Sequence, residues 1–319
     1  MRVMITGSSG FVGTKLVKVL ADKDGIDVLA ATRHEPTDCP TSVTILKNCH
    51  ISAEMDWTAY LSSVNVVIHT AARVHIMDDR TPDPMAAFRA VNVQGTMRLA
   101  EQAAEMGVQR FIFLSSVKVN GEETPHGEAY TADQAPAPAD PYGVSKMEAE
   151  SQLRTLAERS GMEVVIIRPV LVYGPGVKAN FLKMMKWIDS GVPLPFGAIH
   201  NSRSLVALDN LVDLIVLCID HPRAANQTFM VSDGEDLSST ELMRRMARAL
   251  NKPARLFPVP VGLLTQCVRL IGKPHLSQRL CGSLKVDTRK TLDILDWKPV
   301  VTVESALKEV AAYFQENNK

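Results

Sequence analysis

The sequence predicts an α/β fold with a doubly wound parallel sheet, followed by a smaller mixed α/β region. Short, continuously apolar runs alternate with segments of helical spacing through the first 170 residues. Such runs are typical of strands buried on both faces, and the alternation indicates βαβ units. After the stretch RPVLVYGPG the pattern loosens, and proline and glycine cluster at residues 191–197. We therefore expect a boundary near residue 170, which segments of the second half can cross to rejoin the first sheet.

The individual elements follow from the spacing of apolar residues. The apolar runs predict strands at residues 3–6, 28–32, 43–46, 66–69, 111–115 and 164–168. Helical spacing predicts helices at residues 15–22, 85–107 and 145–161, the last two stopping at glycines, and later helices at residues 209–221, 238–250 and 303–315.

Composition limits the classes of function. The chain has 319 residues, 46% apolar and 22% charged, which suits a globular protein of about two units. A formal net charge of zero without long charged runs argues against broad nucleic-acid or anionic-membrane binding. Five scattered cysteines without a CxxC pair favour a reducing compartment, the cytoplasm, and argue against a disulfide framework or a metal site. We expect no signal peptide and no membrane insertion, since the apolar run at 211–219 is too short to span a bilayer.

A glycine-rich turn, TGSSGFVG, follows the first predicted strand and opens the first predicted helix. Glycine allows a tight turn, a close approach of the backbone to a pyrophosphate and contact between helix and strand, and the helix N-terminus adds amide donors. In a chain that continues as βαβαβ, the motif predicts a Rossmann dinucleotide-binding domain over residues 1–170. The predicted cofactor contacts in this turn are Gly7, Gly10, Phe11, Val12 and Gly13.

The end of the second strand bears on the choice of cofactor. An acidic residue at this point would bind the ribose hydroxyls of NAD. The sequence AATRHE places Thr32 and Arg33 there instead, and Asp27 stands at the wrong end of the strand. Because arginine suits the 2′-phosphate of NADP, we expect NADP(H) in preference to NAD(H). The alternative is that Arg33 is a solvated surface residue.

The segment PYGVSK places Tyr142 and Lys146 one helical turn apart on one face. A lysine near the phenol favours the phenolate, so that tyrosine can act as acid or base. With TGSSGFVG, HTAA, VNVQGT and LSS in this order, the motif resembles the extended short-chain dehydrogenase/reductase family, in particular its NAD-dependent epimerase/dehydratase branch. The likeness covers nearly the whole chain. It is greatest to bacterial UDP-sugar 4-epimerase-like proteins and 4-keto-6-deoxysugar reductases found with lipopolysaccharide O-antigen and capsule synthesis.

The resemblance implies roles for a Ser-Tyr-Lys triad. Tyr142 would be the general acid/base at the sugar C4 oxygen, and Ser116 would hydrogen-bond the same oxygen. Lys146 would bind the nicotinamide ribose and bias Tyr142. Asn92 would orient the lysine, the alternative being a helix-packing asparagine. The further cofactor contacts that the resemblance implies are Ala71, Ala72, Pro169 and Val172.

The two residues that follow Ser116 distinguish the reactions catalysed within this branch. Similar sugar 4,6-dehydratases carry Asp-Glu there, whereas this chain has Val117 and Lys118, so we do not expect dehydration. In a strand Lys118 would share the face of Ser116, which predicts that it projects into the sugar pocket as a substrate-orienting donor or auxiliary acid. The alternative is a strand-end lysine that reaches water. Asn120 replaces the tyrosine of the family's V-Y-G, so the resemblance does not say which residues form this wall of the pocket.

The triad suits two reactions at C4 of a UDP-sugar. We favour reduction of a UDP-4-keto-6-deoxy-HexNAc by NADPH for surface polysaccharide synthesis, because of Arg33 and the resemblance to such reductases. The first alternative is a UDP-hexose 4-epimerase, acting on glucose or N-acetylglucosamine, that retains bound NAD. The second, of another class, is a non-catalytic NADP-binding regulator, which is disfavoured because both residues of YxxxK are present.

The second half, residues 171–319, is the predicted nucleotide-sugar-binding region. By resemblance Asn180 and Phe181 contact the nucleotide through backbone and amide groups, and Arg203 reaches the diphosphate. Arg279 is a second candidate for a phosphate contact, with a surface salt bridge as the alternative. His75 could reach the sugar or lie on the surface. The resemblance also implies a homodimer formed through the helices at residues 84–107 and 142–160.

Overall fold

A seven-stranded parallel sheet forms the centre of the fold. The structure is a computed structural model that describes residues 1–33, 39–74, 81–270 and 280–317. The sheet has the order β3-β2-β1-β4-β5-β6-β9. Its strands are β1 (Arg2–Thr6), β2 (Asp27–Ala31), β3 (Thr44–Leu46), β4 (Val66–His69), β5 (Arg110–Leu114), β6 (Glu163–Pro169) and β9 (Thr228–Val231). A smaller mixed sheet of order β10-β8-β7 consists of β7 (Leu171–Tyr173), β8 (Arg203–Ala207) and β10 (Asp236–Leu237).

Helices cover the large sheet and build the second region. In the described chain they are α1 (Phe11–Ala21), α2 (Thr58–Leu61), α3 (Pro84–Arg89), α4 (Thr96–Glu105), α5 (Pro141–Ser160), α6 (Ala179–Asp189), α7 (Leu208–Leu217), α8 (Ser239–Ala249), α9 (Val261–Leu270), α10 (Arg289–Leu295) and α11 (Val303–Asn317). The helix predicted over 85–107 is interrupted by a π-helical turn, Ala90–Gly95, which joins α3 to α4.

Strand β1 shows how the sheet divides the core between its two faces. Val3 and Ile5 join the apolar cluster that contains buried residues of α1 and α7, whereas Met4 joins the cluster that contains those of α4 and α5. Alternate residues of a strand point to opposite faces, and both faces here are apolar. The continuous apolar runs in the sequence thus reflect burial on both sides.

The predicted fold class, a doubly wound sheet with a smaller mixed α/β region, is confirmed. The strand order changes direction between β1 and β4, which leaves a crevice at their carboxyl ends where ligands bind in such sheets. Strand β9 crosses the boundary predicted at residue 170, since it pairs in parallel with β6. The division into residues 1–170 and 171–319 stays a prediction.

The described residues lack two features that would indicate particular partners. None of the helices in the described ranges combines the length and apolar content needed to cross a membrane. Within the same ranges, no group of three or more histidine, cysteine, aspartate or glutamate side chains is arranged to hold a metal ion.

Candidate active site

The glycine turn between β1 and α1 is packed at distances that only glycine permits. Gly7 has a φ of +71°, and a Cβ there would lie 2.6 Å from the backbone nitrogen of Ala71. A Cβ on Gly13 would lie 2.1 Å from the carbonyl oxygen of Gly7. These are the tight turn and the close helix–strand contact of a dinucleotide site. No side chain caps α1 at Gly10, so the first N–H groups of the helix can bind a phosphate. The residues present therefore fit a dinucleotide.

The ribose end of the crevice is formed where β2 ends. Thr32 is buried, and its backbone binds Leu46 and Cys49, at 2.9 and 3.0 Å. Arg33 follows it and is exposed. Ser8, which the sequence reasoning missed, donates its hydroxyl to the carbonyl of Ala31 at 2.8 Å and ties the glycine turn to this strand.

Asn92 lies in the π-helical turn and is buried. Its Oδ1 accepts a hydrogen bond from the backbone N–H of Arg73 at 2.8 Å, and its Nδ2 donates to the Arg73 carbonyl and to the Ser145 hydroxyl, both at 3.0 Å. These bonds hold the loop after Ala71 and Ala72 against the helix of the predicted catalytic residues. Asn92 thus binds Ser145, the neighbour of Lys146, and not the Lys146 ammonium. It anchors the loop, and an action of Asn92 on the lysine stays a prediction.

Tyr142 and Ser116 face each other across the end of β5. Helix α5 begins at Pro141 behind the capping residue Asp140, whose carboxylate accepts the Gly143 N–H at 2.7 Å. Burial and, to a lesser extent, the charge of Asp140 raise the pKa of Tyr142 to about 12, although a hydrogen bond with Ser116 opposes the rise. We expected Lys146 to favour the phenolate. In this arrangement burial dominates, and the phenol keeps its proton.

Lys146 is fully buried beside the end of β5. Its ammonium donates to the carbonyl of Leu114 at 2.8 Å and lies 4.3 Å from the ring centre of Phe113, a cation–π contact. Burial lowers the pKa of Lys146 to about 7, against the charge of Glu150 one turn further along α5. A lysine with a pKa near neutrality can change its protonation with small changes in its surroundings.

A buried polar network, which the sequence did not predict, joins α5 to the sheet. Glu150 accepts hydrogen bonds from the Ser115 hydroxyl at 2.6 Å and from two nitrogens of Arg168. Arg168 also donates to Asn120 Oδ1 at 3.0 Å, and Asn120 Nδ2 donates to the Thr131 carbonyl. Asn120 is 1% exposed, so its side chain is part of the interior. The glutamate eight residues after Tyr142 was the available signal in the sequence.

The strand predicted around Lys118 is wrong. Residues Val117–Val119 form a 3₁₀ turn that Ser116 caps, and both valines are buried. A turn is favoured because the Ser116 hydroxyl accepts the backbone N–H of Lys118 at 3.2 Å. Lys118 forms ion pairs with Glu122, at 2.8 Å, and with Asp140. The contact with a sugar therefore stays a prediction, and its strand-based argument no longer holds.

The predicted nucleotide contacts lie on the second region. Asn180 is half-buried in the first turn of α6, next to Phe181, which is 1% exposed and stacks on Tyr173 at 5.3 Å. The Phe181 ring is thus packed in the interior. Arg203 opens β8, donates to the Gly282 carbonyl at 3.0 Å, and has a pKa lowered by burial against the charge of Glu123. Arg279 and His75 lie outside the described residues.

The sheet brings most of the remaining predicted residues to one edge. Gly7, Ala71, Ser116 and Pro169 stand at or just past the carboxyl ends of β1, β4, β5 and β6, which are neighbours. Pro169 is buried at the end of β6, and Val172 is half-buried in β7. The arrangement places the hydroxyl groups of Tyr142 and Ser116 at the same edge of the sheet as the glycine turn that fits a dinucleotide.

Comparison with known proteins agrees with this geometry. The model of the NAD dependent epimerase/dehydratase family matches residues 3–232. A UDP-glucose 4-epimerase of Vibrio cholerae is 49% identical over an alignment of 319 positions, which covers 99% of this chain and 97% of that protein. An N-acetyl-alpha-D-glucosaminyl-diphospho-ditrans,octacis-undecaprenol 4-epimerase of Escherichia coli O157:H7 is 28% identical over 89% of this chain and 84% of its own. The crystal structure of a Bacillus cereus UDP-glucuronic acid 4-epimerase in complex with NAD shares the fold, with a TM-score of 0.80 and 20% identity over all of both chains.

Proposed function

Because the chain belongs to the NAD dependent epimerase/dehydratase family, we propose that it is a UDP-sugar 4-epimerase. The observation that carries the proposal is the 49% identity to a UDP-glucose 4-epimerase over 99% of the chain. This ranks the epimerase, our first alternative from the sequence, above the 4-ketoreductase that we favoured there. The substrate class is a UDP-hexose, and the reaction inverts the configuration at C4.

The residues of the crevice have complementary tasks in this reaction. Ser116 and Tyr142 would hold the C4 oxygen of the sugar between two hydroxyl groups. In its phenolate form, Tyr142 would accept the proton of the C4 hydroxyl when the carbon is oxidised and return it when the carbon is reduced. When bound, the dinucleotide would supply the hydride acceptor and, in its oxidised form, a positive charge that favours the phenolate of Tyr142. Lys146 would bind its ribose, and the glycine turn its pyrophosphate.

The family also contains dehydratases, and the turn after Ser116 argues against that reaction. Elimination of water across C5 and C6 requires an acid and a base near those carbons. Val117 is buried and apolar, and Lys118 is ion-paired with Glu122 and Asp140. Neither residue supplies the carboxylate that proton removal from C5 would need.

One observation favours a second candidate, the NADPH-dependent reduction of a UDP-4-keto-6-deoxy-HexNAc. Arg33 is exposed where β2 ends, the place from which an arginine could reach a 2′-phosphate. An epimerase that retains NAD has no use for such a contact. In the reductase, NADP(H) would be preferred, and Arg33→Ser would weaken the binding of NADPH more than that of NADH.

The product of either reaction would enter glycan synthesis, in line with the undecaprenol-linked substrate named for the Escherichia coli relative. The roles of Asn180, Arg203 and Arg279 at the nucleotide and the homodimer through the helices at 84–107 and 142–160 stay predictions. A non-catalytic regulator has no support from these observations, since both residues of YxxxK, Tyr142 and Lys146, are present.

The deciding experiment identifies the nucleotide released when the purified protein is denatured and then offers two substrates. We expect retained NAD and interconversion of UDP-glucose and UDP-galactose, or of their N-acetyl forms, without net consumption of cofactor. Tyr142→Phe should lower the rate by about 10²- to 10⁴-fold while the nucleotide stays bound. Net oxidation of NADPH with a UDP-4-keto-6-deoxy-HexNAc, and no epimerisation, would establish the reductase instead.

A further inference from the structure

The turn that carries Lys118 lies directly against the start of α5. A Cβ on Gly143 would be 2.6 Å from the Lys118 carbonyl oxygen, so the two backbones are in contact. The backbone N–H of Ala137 donates to the Val119 carbonyl at 2.9 Å and fixes the approach to the helix on the same turn. The position of Lys118 relative to the first turn of α5 is therefore set by backbone packing.

The Lys118 ammonium bridges two carboxylates at this contact. It donates to Glu122 at 2.8 Å and to Oδ2 of Asp140. The side chains of Lys118, Glu122 and Asp140 are 29%, 29% and 22% exposed, so the cluster is partly shielded from water. Because the interaction is shielded, its strength exceeds that of an exposed surface pair.

Asp140 connects this cluster to the predicted acid/base. Its Oδ1 caps α5 through the Gly143 N–H, which fixes the carboxylate two residues before Tyr142. Burial alone would raise the pKa of the Asp140 carboxyl, but hydrogen bonds from Lys118 and Gly143 and the charge of Lys118 lower it. Asp140 is thus an anion beside the phenol, and its charge opposes ionisation of Tyr142.

The other groups around Tyr142 do not cancel this charge. From α3, the Phe88 ring packs edge-on at 6.1 Å, and Arg89 on the same helix is paired with Glu148 of α5. The Arg73 guanidinium lies over Phe88, at 5.6 Å, on the loop after β4. On α5 itself the Lys146 ammonium is directed to the Leu114 carbonyl. The ion pair with Asp140 is therefore formed by Lys118 and not by one of these three cations.

We propose that Lys118 is a positioning residue that offsets part of the negative charge of Asp140 and thereby makes it easier for Tyr142 to give up its proton. The inference rests on the role of Tyr142 in the proposed function. It replaces the predicted contact of Lys118 with the sugar by an indirect action through the helix cap. Lys118 sets the charge at the start of α5, and Tyr142 does the chemistry.

The first test titrates the phenol without any substrate. The ultraviolet absorbance of tyrosinate is followed against pH, and the signal of Tyr142 is obtained as the difference from a Tyr142→Phe protein. We expect Lys118→Met to move the onset of this titration upward by about one pH unit, and Lys118→Arg to restore it. Lys308→Met, which removes a lysine paired with Glu304 on α11, serves as the control and should leave the titration unchanged. An unchanged onset in Lys118→Met overturns the proposal.

The second test uses Asp140→Asn, which keeps a helix-capping side chain and removes the charge. This variant should titrate at lower pH than the wild type, and Lys118→Met should have little further effect in its background. An equal shift in both backgrounds would show that Lys118 acts directly on the phenol and would refute the mechanism. In the pH profile of the epimerisation rate, Lys118→Met should likewise shift the apparent pKa in the wild-type background and not in the Asp140→Asn background. The KM for the UDP-sugar should stay unchanged. A KM that rises in both backgrounds would instead support the sugar contact. Because the titration needs no substrate, it still tests the role of Lys118 if the protein proves not to be an epimerase.

Discussion

Arg168 and Glu150 form a two-point ion pair in the interior, with Nε to Oε1 at 2.9 Å and Nη2 to Oε2 at 2.5 Å. Their side chains are 2% and 1% exposed. The pair joins β6 to α5, the helix of Tyr142 and Lys146, and Ser115 next to Ser116 binds the same carboxylate. The residues of the predicted triad thus stand on elements that share one buried polar contact.

Removing one partner of this pair should be costly. We expect Arg168→Met to lower the free energy of unfolding by about 3–5 kcal/mol, because it leaves the Glu150 carboxylate buried with fewer donors. The double variant Arg168→Met, Glu150→Leu should recover a large part of that loss, since no unpaired charge remains. Urea unfolding of the single and double variants measures both values. A double variant as unstable as the sum of the single changes would contradict the account.

Substitution of the glycine turn should prevent dinucleotide binding. A methyl group on Gly13 would overlap the Gly7 carbonyl, so Gly13→Ala must displace the turn or the helix. We expect loss of the retained nucleotide and a drop in stability of the order of 1–3 kcal/mol, as in an overpacked core. The matched control is Gly262→Ala in α9, where a Cβ meets nothing within 4 Å. Wild-type nucleotide content in Gly13→Ala would show that the turn does not carry the cofactor.

His69 should make the protein sensitive to acid. Its ring is fully buried between hydrogen bonds to Thr6 at 2.7 Å and Thr96 at 3.0 Å, and burial, aided by the charge of Lys146, lowers its pKa to about 3. In the unfolded chain a histidine binds a proton below about pH 6.5. In the folded protein His69 binds a proton only near pH 3. The stability that His69 contributes is therefore lost as pH falls from about 6.5 toward 3.

The measurement is the free energy of unfolding across that pH range. The histidine accounts for a slope of at most about 1.4 kcal/mol per pH unit. His69→Gln keeps a donor and an acceptor for the two threonines and should flatten the slope by that amount. His50→Gln, at an exposed position, should leave it as in the wild type. Equal slopes in the wild type and His69→Gln would show that His69 does not stay neutral.

We expect Lys146 to be required for activity and at the same time to lower the stability of the fold, because its charge is buried. With a pKa lowered to about 7, its charged form is disfavoured in the fold, so stability rises with pH between about 7 and the unfolded value near 10.4. Lys146→Met removes the buried charge, while Arg168 still neutralises Glu150. We expect an inactive protein that is more stable at pH 7 by about 1–2 kcal/mol and has a flatter slope above it. Calorimetric melting at several pH values tests this, and a variant that melts below the wild type at pH 7 would contradict it.

Local patterns predicted the parts of this protein that depend on short-range physics. The glycine turn and the first six strands of the large sheet were predicted because continuous apolar runs and glycine spacing report burial and turn geometry directly. The pair of Tyr142 and Lys146 was predictable because four residues make one helical turn. The family resemblance supplied the roles, which no spacing reveals alone.

The tertiary structure decided what depends on contacts between distant segments. The pairing of β9 with β6, the burial of Asn120 against Arg168 and the direction of Lys118 all involve residues far apart in the chain. A strand was expected at Val117–Val119 because apolar and polar residues alternate there. The structure instead has a 3₁₀ turn capped by Ser116, and Lys118 pairs with the helix-capping residue Asp140. By itself the sequence determined which side chains are available and on which elements they stand. Which of these side chains meet, and with what charge beside them, was decided by the packing of the helices on the sheet, because desolvation and ion pairing depend on neighbours that sequence separation does not reveal.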